Sequence, residues 1–420
     1  MDLSFVRSEF PSLAETDANG RPYVYLDGPG GTQAHRSVIA AMQEYFVRAN
    51  ANTHGEFITS QRADAAIASA RSAMADFLNA PSADEIIFGQ NMTTISFHLS
   101  HALERALKPG DEIVVTRLDH NANIAPWLRL EERGVVVRWV DFQTADCRLD
   151  MEMFRRQINA RTRWVAVGYA SNAVGTVNDV AQIVAWAHAL GAWVWVDAVH
   201  YAPHGPIDVQ SLGCDFLVCS AYKFFGPHVG ALWGRREILE RLTPDKVRPA
   251  SNQIPDCFET GTQNHEGLAG VTAAVDYLAS VGQRAGQDFA AQFPGFSGRR
   301  LQLKTAMAAI REYEKSLGWQ LIDGLKRIRG LHIWGISDHA QAAWRVPTVS
   351  ITLDGRTPQE IARRLGDEGI FVWDGNFYAI TVTEGLGLEE SGGLVRLGLA
   401  HYNTAAEVER LLKALARIAA

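Results

Sequence analysis

No apolar run in the 420 residues approaches the length of a membrane span, and Asp2, Arg7 and Glu9 leave no room for the apolar core of a secretory leader. Cysteine is scarce. The four residues Cys147, Cys214, Cys219 and Cys257 form no CxxC pair, and three of them lie in or beside apolar runs. This argues against a disulfide framework and for free thiols in a reducing cytoplasm. A basic excess is missing too, and a net charge of −7 gives no electrostatic case for nucleic acid as a partner. A metal ligand set is also lacking. His200 and His204 have zinc-like spacing, but Pro203 breaks the helix that would align them, and His98 with His101 finds no third ligand. No internal repeat or low-complexity tract occurs. What is present, 47% apolar and 21% charged residues, is ordinary globular composition. It suffices for roughly two domains or one large α/β unit.

The chain alternates strand and helix patterns. Apolar spacing predicts helices over 34–49 and 61–79, and β-rich runs over Glu85–Phe88, Ile113–Thr116, Val135–Val140, Trp164–Val167 and Trp193–Asp197. Helical segments near 150–160 and 180–190 separate the later runs. Such alternation predicts a mostly parallel sheet covered by helices, with ligands gathering beyond the carboxyl ends of the strands. After residue 270 the pattern changes to long helices over 268–330, broken at Phe293–Gly298. A second α+β unit follows, with strands Thr348–Leu353, Ile370–Trp373 and Leu394–Gly398 and a last helix from Thr404 to Ile418.

The residues just past the strand ends are Thr93, His120, Asn172, Asp197, His200, Ser220 and Lys223. Lys223 follows the apolar run Phe216–Cys219, is flanked by Tyr222, Phe224 and Phe225, and is closed in by Gly226-Pro227. Burial there would favour the neutral amine, the form that attacks carbonyls. Read alone, the segment also fits a surface lysine. The helix opening after Gly89-Gln-Asn-Met-Thr-Thr94 offers N–H groups at Met92 and Thr93 to an anion, or simple capping by Asn91 or Thr93. Asp27-Gly-Pro-Gly-Gly31 lets backbone approach a ligand closely, or is a plain loop. A buried Asp197 needs a cationic partner.

Taken together, these motifs resemble fold-type I pyridoxal-phosphate enzymes of the class V aminotransferase family, on the cysteine desulfurase and selenocysteine lyase branch. Matching stretches run in order from Tyr25-Leu-Asp27 to His401-Tyr-Asn-Thr404. The resemblance implies a large cofactor domain over 25–275 with a mostly parallel seven-stranded sheet. It implies a smaller domain from residues 1–24 and 276–420. Asn91-Met-Thr-Thr94 is similar to the phosphate cup, and His120-Asn-Ala-Asn123 resembles the segment whose histidine stacks on the pyridine ring. Ser171-Asn172 looks like the strand end that meets the phenolic oxygen. Asp197 matches the partner of the pyridine nitrogen, and His200 stands where many relatives have glutamine. Ser220-Ala-Tyr-Lys223 matches Ser-x-His-Lys, making Lys223 the Schiff-base lysine, with Tyr222 replacing the phosphate-facing histidine. Glu259-Thr-Gly-Thr262 resembles the loop that reaches the partner subunit's phosphate, which implies a homodimer with composite sites. Arg396 matches the substrate-carboxylate arginine, and Gly30, His54, Asn172 and Tyr378 are implied substrate contacts.

One departure bears on the reaction. Desulfurases carry a loop cysteine that takes sulfur as a persulfide. The corresponding stretch here, Val372-Trp-Asp-Gly-Asn-Phe-Tyr-Ala379, has Tyr378 near that place, and no cysteine follows Cys257. The resemblance therefore implies a C–S or C–Se lyase acting on a cysteine-like amino acid through an external aldimine and a Cα carbanion. An amino-acid epimerase or aminotransferase on the same scaffold is the alternative.

Overall fold

The computed structural model describes residues 4–420, so Asp2 and the first three residues of the expected small domain lie outside it. Strands form where β-branched and aromatic residues cluster. In chain order, β1 (Val24–Tyr25), β2 (Ile86–Gly89), β3 (Glu112–Thr116) and β4 (Val136–Val140) precede a hairpin of β5 (Phe142–Gln143) and β6 (Arg148–Leu149). Next come β7 (Thr162–Gly168), β8 (Trp193–Asp197), β9 (Phe216–Ser220) and β10 (Gly230–Gly234). Seven of these make one sheet in the order β2-β10-β9-β8-β7-β3-β4. Strand β10 runs antiparallel to β2 and β9, and the remaining pairs are parallel. Parallel pairs need crossovers. Ala125–Leu128 lies in the crossover from β3 to β4, Val180–Ala189 in that from β7 to β8 and Val209–Leu212 in that from β8 to β9, while Met151–Gln157 lies on the path back to β7.

Because side chains alternate along a strand, the sheet divides the core. Trp164, Trp195 and Phe216 face one layer with Trp127, whose ring centroid lies 4.9 Å from Trp164 and 5.3 Å from Trp195. Val165, Val167, Val194, Val196, Leu217 and Cys219 face the other, with Leu268, Val271 and Leu278 of the helix His265–Ala285. The registers set Gly168 opposite Asp197, and Asp197 opposite Val218. The carboxyl ends of β7, β8 and β9 therefore open on one edge.

A second sheet, order β11-β12-β15-β14, is antiparallel and built from β11 (Leu331–Trp334), β12 (Thr348–Leu353), β14 (Trp373–Gly375) and β15 (Leu394–Gly398). Between them β13 (Ile370–Phe371) pairs in parallel with β1, setting Val24 opposite Ile370. The run expected as one strand over 370–373 is thus two, divided at Val372. Strands β10 and β11 carry no expectation from the sequence. Gly230-Ala-Leu-Trp-Gly234 has only three side chains beyond hydrogen, too few to show a period. The closing helix Ala405–Ala419 starts on a capping box, with Thr404 and Glu407 satisfying each other's backbone N–H. It lays Val408, Leu411, Leu415 and Ile418 on Val349, Ile351, Val395 and Leu397.

Candidate active site

Lys223 leaves β9 through a 3-10 turn, Ala221–Lys223, tied back by the Gly226 N–H donating to the Ala221 carbonyl at 2.9 Å. The side chain is 8% exposed, which settles between the two readings of the sequence in favour of burial. Its Nζ donates to the Pro29 carbonyl and stands 4.8 Å from the Tyr222 ring centroid. Burial, helped by the positive charge of Arg396, pulls the amine down to about 7, against the opposing pull of Asp197 and Asp27. Near neutral pH a large share of it is a free nucleophile.

Asp197 closes β8 beside it. Among the described residues its side chain accepts one hydrogen bond, from the Val199 N–H at 2.9 Å, and forms no ion pair. Burial pushes the carboxyl up to about 6. A second carboxyl, Asp119, accepts from the Gly168 N–H and from Asn123 Nδ2, each at 2.9 Å. Asn123 Oδ1 in turn takes the Trp195 indole N–H at 2.9 Å. Gly168 has to be glycine here, since a Cβ would lie 2.7 Å from Asp119 Oδ1. This network fixes the turn that carries His120. His120 Nδ1 accepts from the Ala122 N–H at 3.0 Å, so the neutral ring carries its proton on Nε2. Burial, with Lys223 and Arg396 nearby, holds it at about 4.

At the start of the helix Met92–Glu104, Asn91 and Thr94 form the capping box, which leaves the Thr93 hydroxyl out of that role. The Met92 N–H, counted as free in the sequence, already donates to Ser220 Oγ at 3.1 Å. Thr93 is exposed. Tyr222 stacks on His228 at 4.9 Å and 16°, and its backbone carbonyl takes the Thr32 N–H and hydroxyl. His200 Nε2 lies 2.9 Å from Thr348 Oγ1 of β12, and burial drives its ring well below the ordinary histidine range.

Arg396 of β15 is buried, and burial brings its guanidinium down to about 9. It donates to the Asn172 carbonyl at 3.0 Å and lies 4.2 Å from the Phe377 ring, while its buried Nε has no partner among the described residues. Asp27 Oδ1 is likewise buried and unpaired, and burial raises that carboxyl to about 6. The Asn172 amide donates to the Phe377 carbonyl at 2.9 Å, and Tyr378, 76% exposed, accepts the Asn121 N–H at 2.6 Å. Gly30 lies against the Trp373 indole, which a Cβ would strike.

Two expected residues stand apart within one chain. His54 is exposed at φ 63°, with its backbone N–H on Asp64 at 3.2 Å. Thr262 lies exposed on a groove with Gln90, Thr94, His98 and His228. Neither hydrogen-bonds the lysine cluster among the described residues. Asp119, Thr348 and Phe377 were not singled out from sequence. Asp119, directly before His120, is the one that local position could have suggested.

This donor set fits pyridoxal phosphate. It offers a buried amine, a buried carboxylate short of a cation for the ring nitrogen, and an unpaired guanidinium N–H for a carboxylate. The comparisons agree. A family model described as aminotransferase class-V matches residues 24–302 and 284–411. A probable cysteine desulfurase of Streptomyces coelicolor is 32% identical over 437 residues, covering 100% of this chain and 97% of that protein. Another, from Mycolicibacterium paratuberculosis, is 33% identical over 433 residues, and there the chain spans 58% of that longer protein. Among solved structures, the apo structure of cysteine desulfurase from Thermococcus onnurineus NA1 superposes with a TM-score of 0.86 at 26% identity, covering 100% of this chain and 98% of that one.

Proposed function

The chain belongs to the class V aminotransferase family and is a fold-type I, pyridoxal-phosphate-dependent enzyme of the cysteine desulfurase-like kind, and from that premise we propose that it is a lyase. It acts at Cβ–S or Cβ–Se of a cysteine-like amino acid and takes no persulfide on its own chain. One observation carries this reading: no thiol is placed to accept sulfur. The loop at 376–379 offers Tyr378 in place of a cysteine. All four cysteines are buried. Burial pushes every one of their thiols up, Cys147 to about 12, away from the reactive thiolate.

Bound pyridoxal phosphate supplies an electron sink for the pair left at Cα when the α-proton leaves. The residues of this chain do the rest. Lys223 would hold the cofactor through its buried amine, and as a neutral amine it would be the base for the proton at Cα. Asp197 would hold the proton of the ring nitrogen, and His120 would pack against the ring. His200 and Asn172 would hold its oxygen. Met92, Thr93, Ser220 and Tyr222 would hold its phosphate, and in a symmetric dimer Thr262 of the partner subunit would complete that end. The exposed apolar residues Ile39, Phe46, Val47, Phe57 and Ile58 suit such an interface. Arg396 would grip the α-carboxylate so that the Cα–H bond faces Lys223, an orientation effect worth several kcal/mol. Gly30, His54 and Tyr378 border the substrate. We place the large domain at 25–275, the small one at 1–24 and 276–420, and the enzyme in a reducing cytoplasm.

The test is product identity. With cysteine or a cysteine conjugate the expected products are pyruvate, ammonia and sulfide or a thiol, and the protein mass stays unchanged. Alanine with a persulfide on one of the four cysteines overturns the reading. Racemised substrate without sulfur release moves it to an epimerase, and a keto-acid requirement moves it to an aminotransferase. Borohydride is expected to fix the cofactor on Lys223, and labelling of another lysine rejects that assignment.

A further inference from the structure

The stretch in the place of the desulfurase thiol loop carries an arrangement of its own. Phe377 and Tyr378 are consecutive non-glycine residues in the left-handed region, at φ 56° and 58°. Left-handed backbone is unfavourable for such residues and persists only where surrounding contacts impose it. Here they do. The Phe377 carbonyl takes the Asn172 amide at 2.9 Å, and the Tyr378 carbonyl takes the Asn121 N–H at 2.6 Å. Asn376 is tied to Glu389 at 2.9 Å and accepts the Tyr378 N–H at 3.1 Å. What the strained turn positions is the Phe377 ring, centred 4.2 Å from the guanidinium carbon of Arg396.

An aromatic face attracts a guanidinium without competing for its in-plane N–H groups. Of those groups, one terminal nitrogen is held by the Asn172 carbonyl at 3.0 Å, while the buried Nε–H has no partner. Asn172 therefore fixes both parts, Arg396 through its carbonyl and Phe377 through its amide. The guanidinium is braced on one face and at one end, with its Nε side left for a carboxylate.

We propose that Phe377 is a positioning residue for the carboxylate clamp. It orients and desolvates the Arg396 guanidinium, so that the loop which elsewhere carries a thiol serves here to hold substrate carboxylate. This rests on the reading of Arg396 as the clamp. It does not depend on which bond the enzyme breaks.

The experiment is a binding cycle on the cofactor-loaded protein with 3-mercaptopropionate, a carboxylate without the amine needed to react with the cofactor. Titration calorimetry of the parent, Phe377→Ala, Phe377→Leu, Phe377→Tyr, Arg396→Ala and the Phe377→Ala/Arg396→Ala pair gives the dissociation constants. Phe377→Ala and Phe377→Leu are expected to weaken binding roughly five- to tenfold, and Phe377→Tyr to restore it. Added to Arg396→Ala, the Phe377→Ala change is expected to weaken binding no further. An equal loss with and without Arg396 overturns the proposal, since the ring would then act through the loop alone. So does unchanged binding in Phe377→Leu, or a parent protein that does not bind the probe. A change of product with this cycle intact sinks the lyase reading and leaves the brace standing.

Discussion

Lys223 and Asp197 are each held where their charged form is poorly solvated, and this has a cost in the cofactor-free protein that can be measured. The Lys223 amine is brought from 10.5 to about 7, chiefly by burial. Between those values the unfolded chain binds a proton that the native one does not. Its contribution therefore becomes unfavourable as pH falls from about 10.5 to about 7, and is constant below. Lys223→Met is expected to raise the urea midpoint of cofactor-free protein at pH 7 and to give a smaller gain at pH 10. An equal gain at both pH values would mean that the amine is not held neutral. Asp197 has the opposite sign, its carboxyl raised by burial from 3.8 to about 6. Its burden is largest above about 6 and fades as pH falls toward 3.8. Asp197→Asn is expected to stabilise the cofactor-free protein at pH 7 while lowering kcat of the loaded enzyme by roughly 10⁴, the scale set by loss of an orienting carboxylate in other enzymes. An unchanged kcat would make the carboxylate merely structural.

Among the elements, the two ends of the large sheet differ in kind. At the carboxyl ends, the acids Asp119 and Asp197 form no ion pair among the described residues. At the amino end of β3, Glu112 is 1% exposed and fully paired. It accepts from Arg138 through two bonds at 3.0 Å, from Arg161 at 2.7 Å and from Asn159 at 2.7 Å. The Arg138 bonds lead in bringing this carboxyl down to about 2. A depressed carboxylate stabilises above its unfolded value of 4.5 and loses that contribution as pH falls toward 2. Glu112→Gln is expected to cost about 1–3 kcal/mol at pH 7, by denaturant midpoint, with turnover unchanged. A large loss of turnover would show that this end of the sheet reaches the site. The same division explains what the sequence made legible. Strands β3, β4, β7, β8 and β9 are read from local apolar runs, and the polar residues at their ends follow from parallel topology. The contacts of Phe377 with Arg396, of Trp373 with Gly30 and of Thr348 with His200 join residues far apart in the chain, so no local period announces them. The glycine-bounded β10 was missed because its three side chains are too few to show a period.

At the scale of the whole molecule, the open question is why one chain leaves Thr93, Thr262 and His54 exposed while its lysine is buried. A second copy answers this if each site borrows Thr262 from its neighbour, and an isologous dimer then holds two sites of mixed origin. The consequence can be tested without knowing the substrate's fate. In Lys223→Ala the chain loses its amine but keeps a sound Thr262. In Thr262→Asp it keeps Lys223 but brings a negative charge toward the partner's phosphate. Each homodimer is expected to be nearly inactive, the second through loss of cofactor. In a mixed dimer one site has the sound Lys223 of one chain and the sound Thr262 of the other, while its twin carries both defects. Random reassortment makes half the dimers mixed, with one working site of two, so about a quarter of parental activity is expected to return on mixing. The yellow absorbance of bound cofactor is expected to return with it, and light scattering reports the dimer throughout. Mixed dimers that form but stay inactive would place Thr262 away from the neighbouring site, and a fully active, cofactor-loaded monomer would remove the dimer from the mechanism altogether.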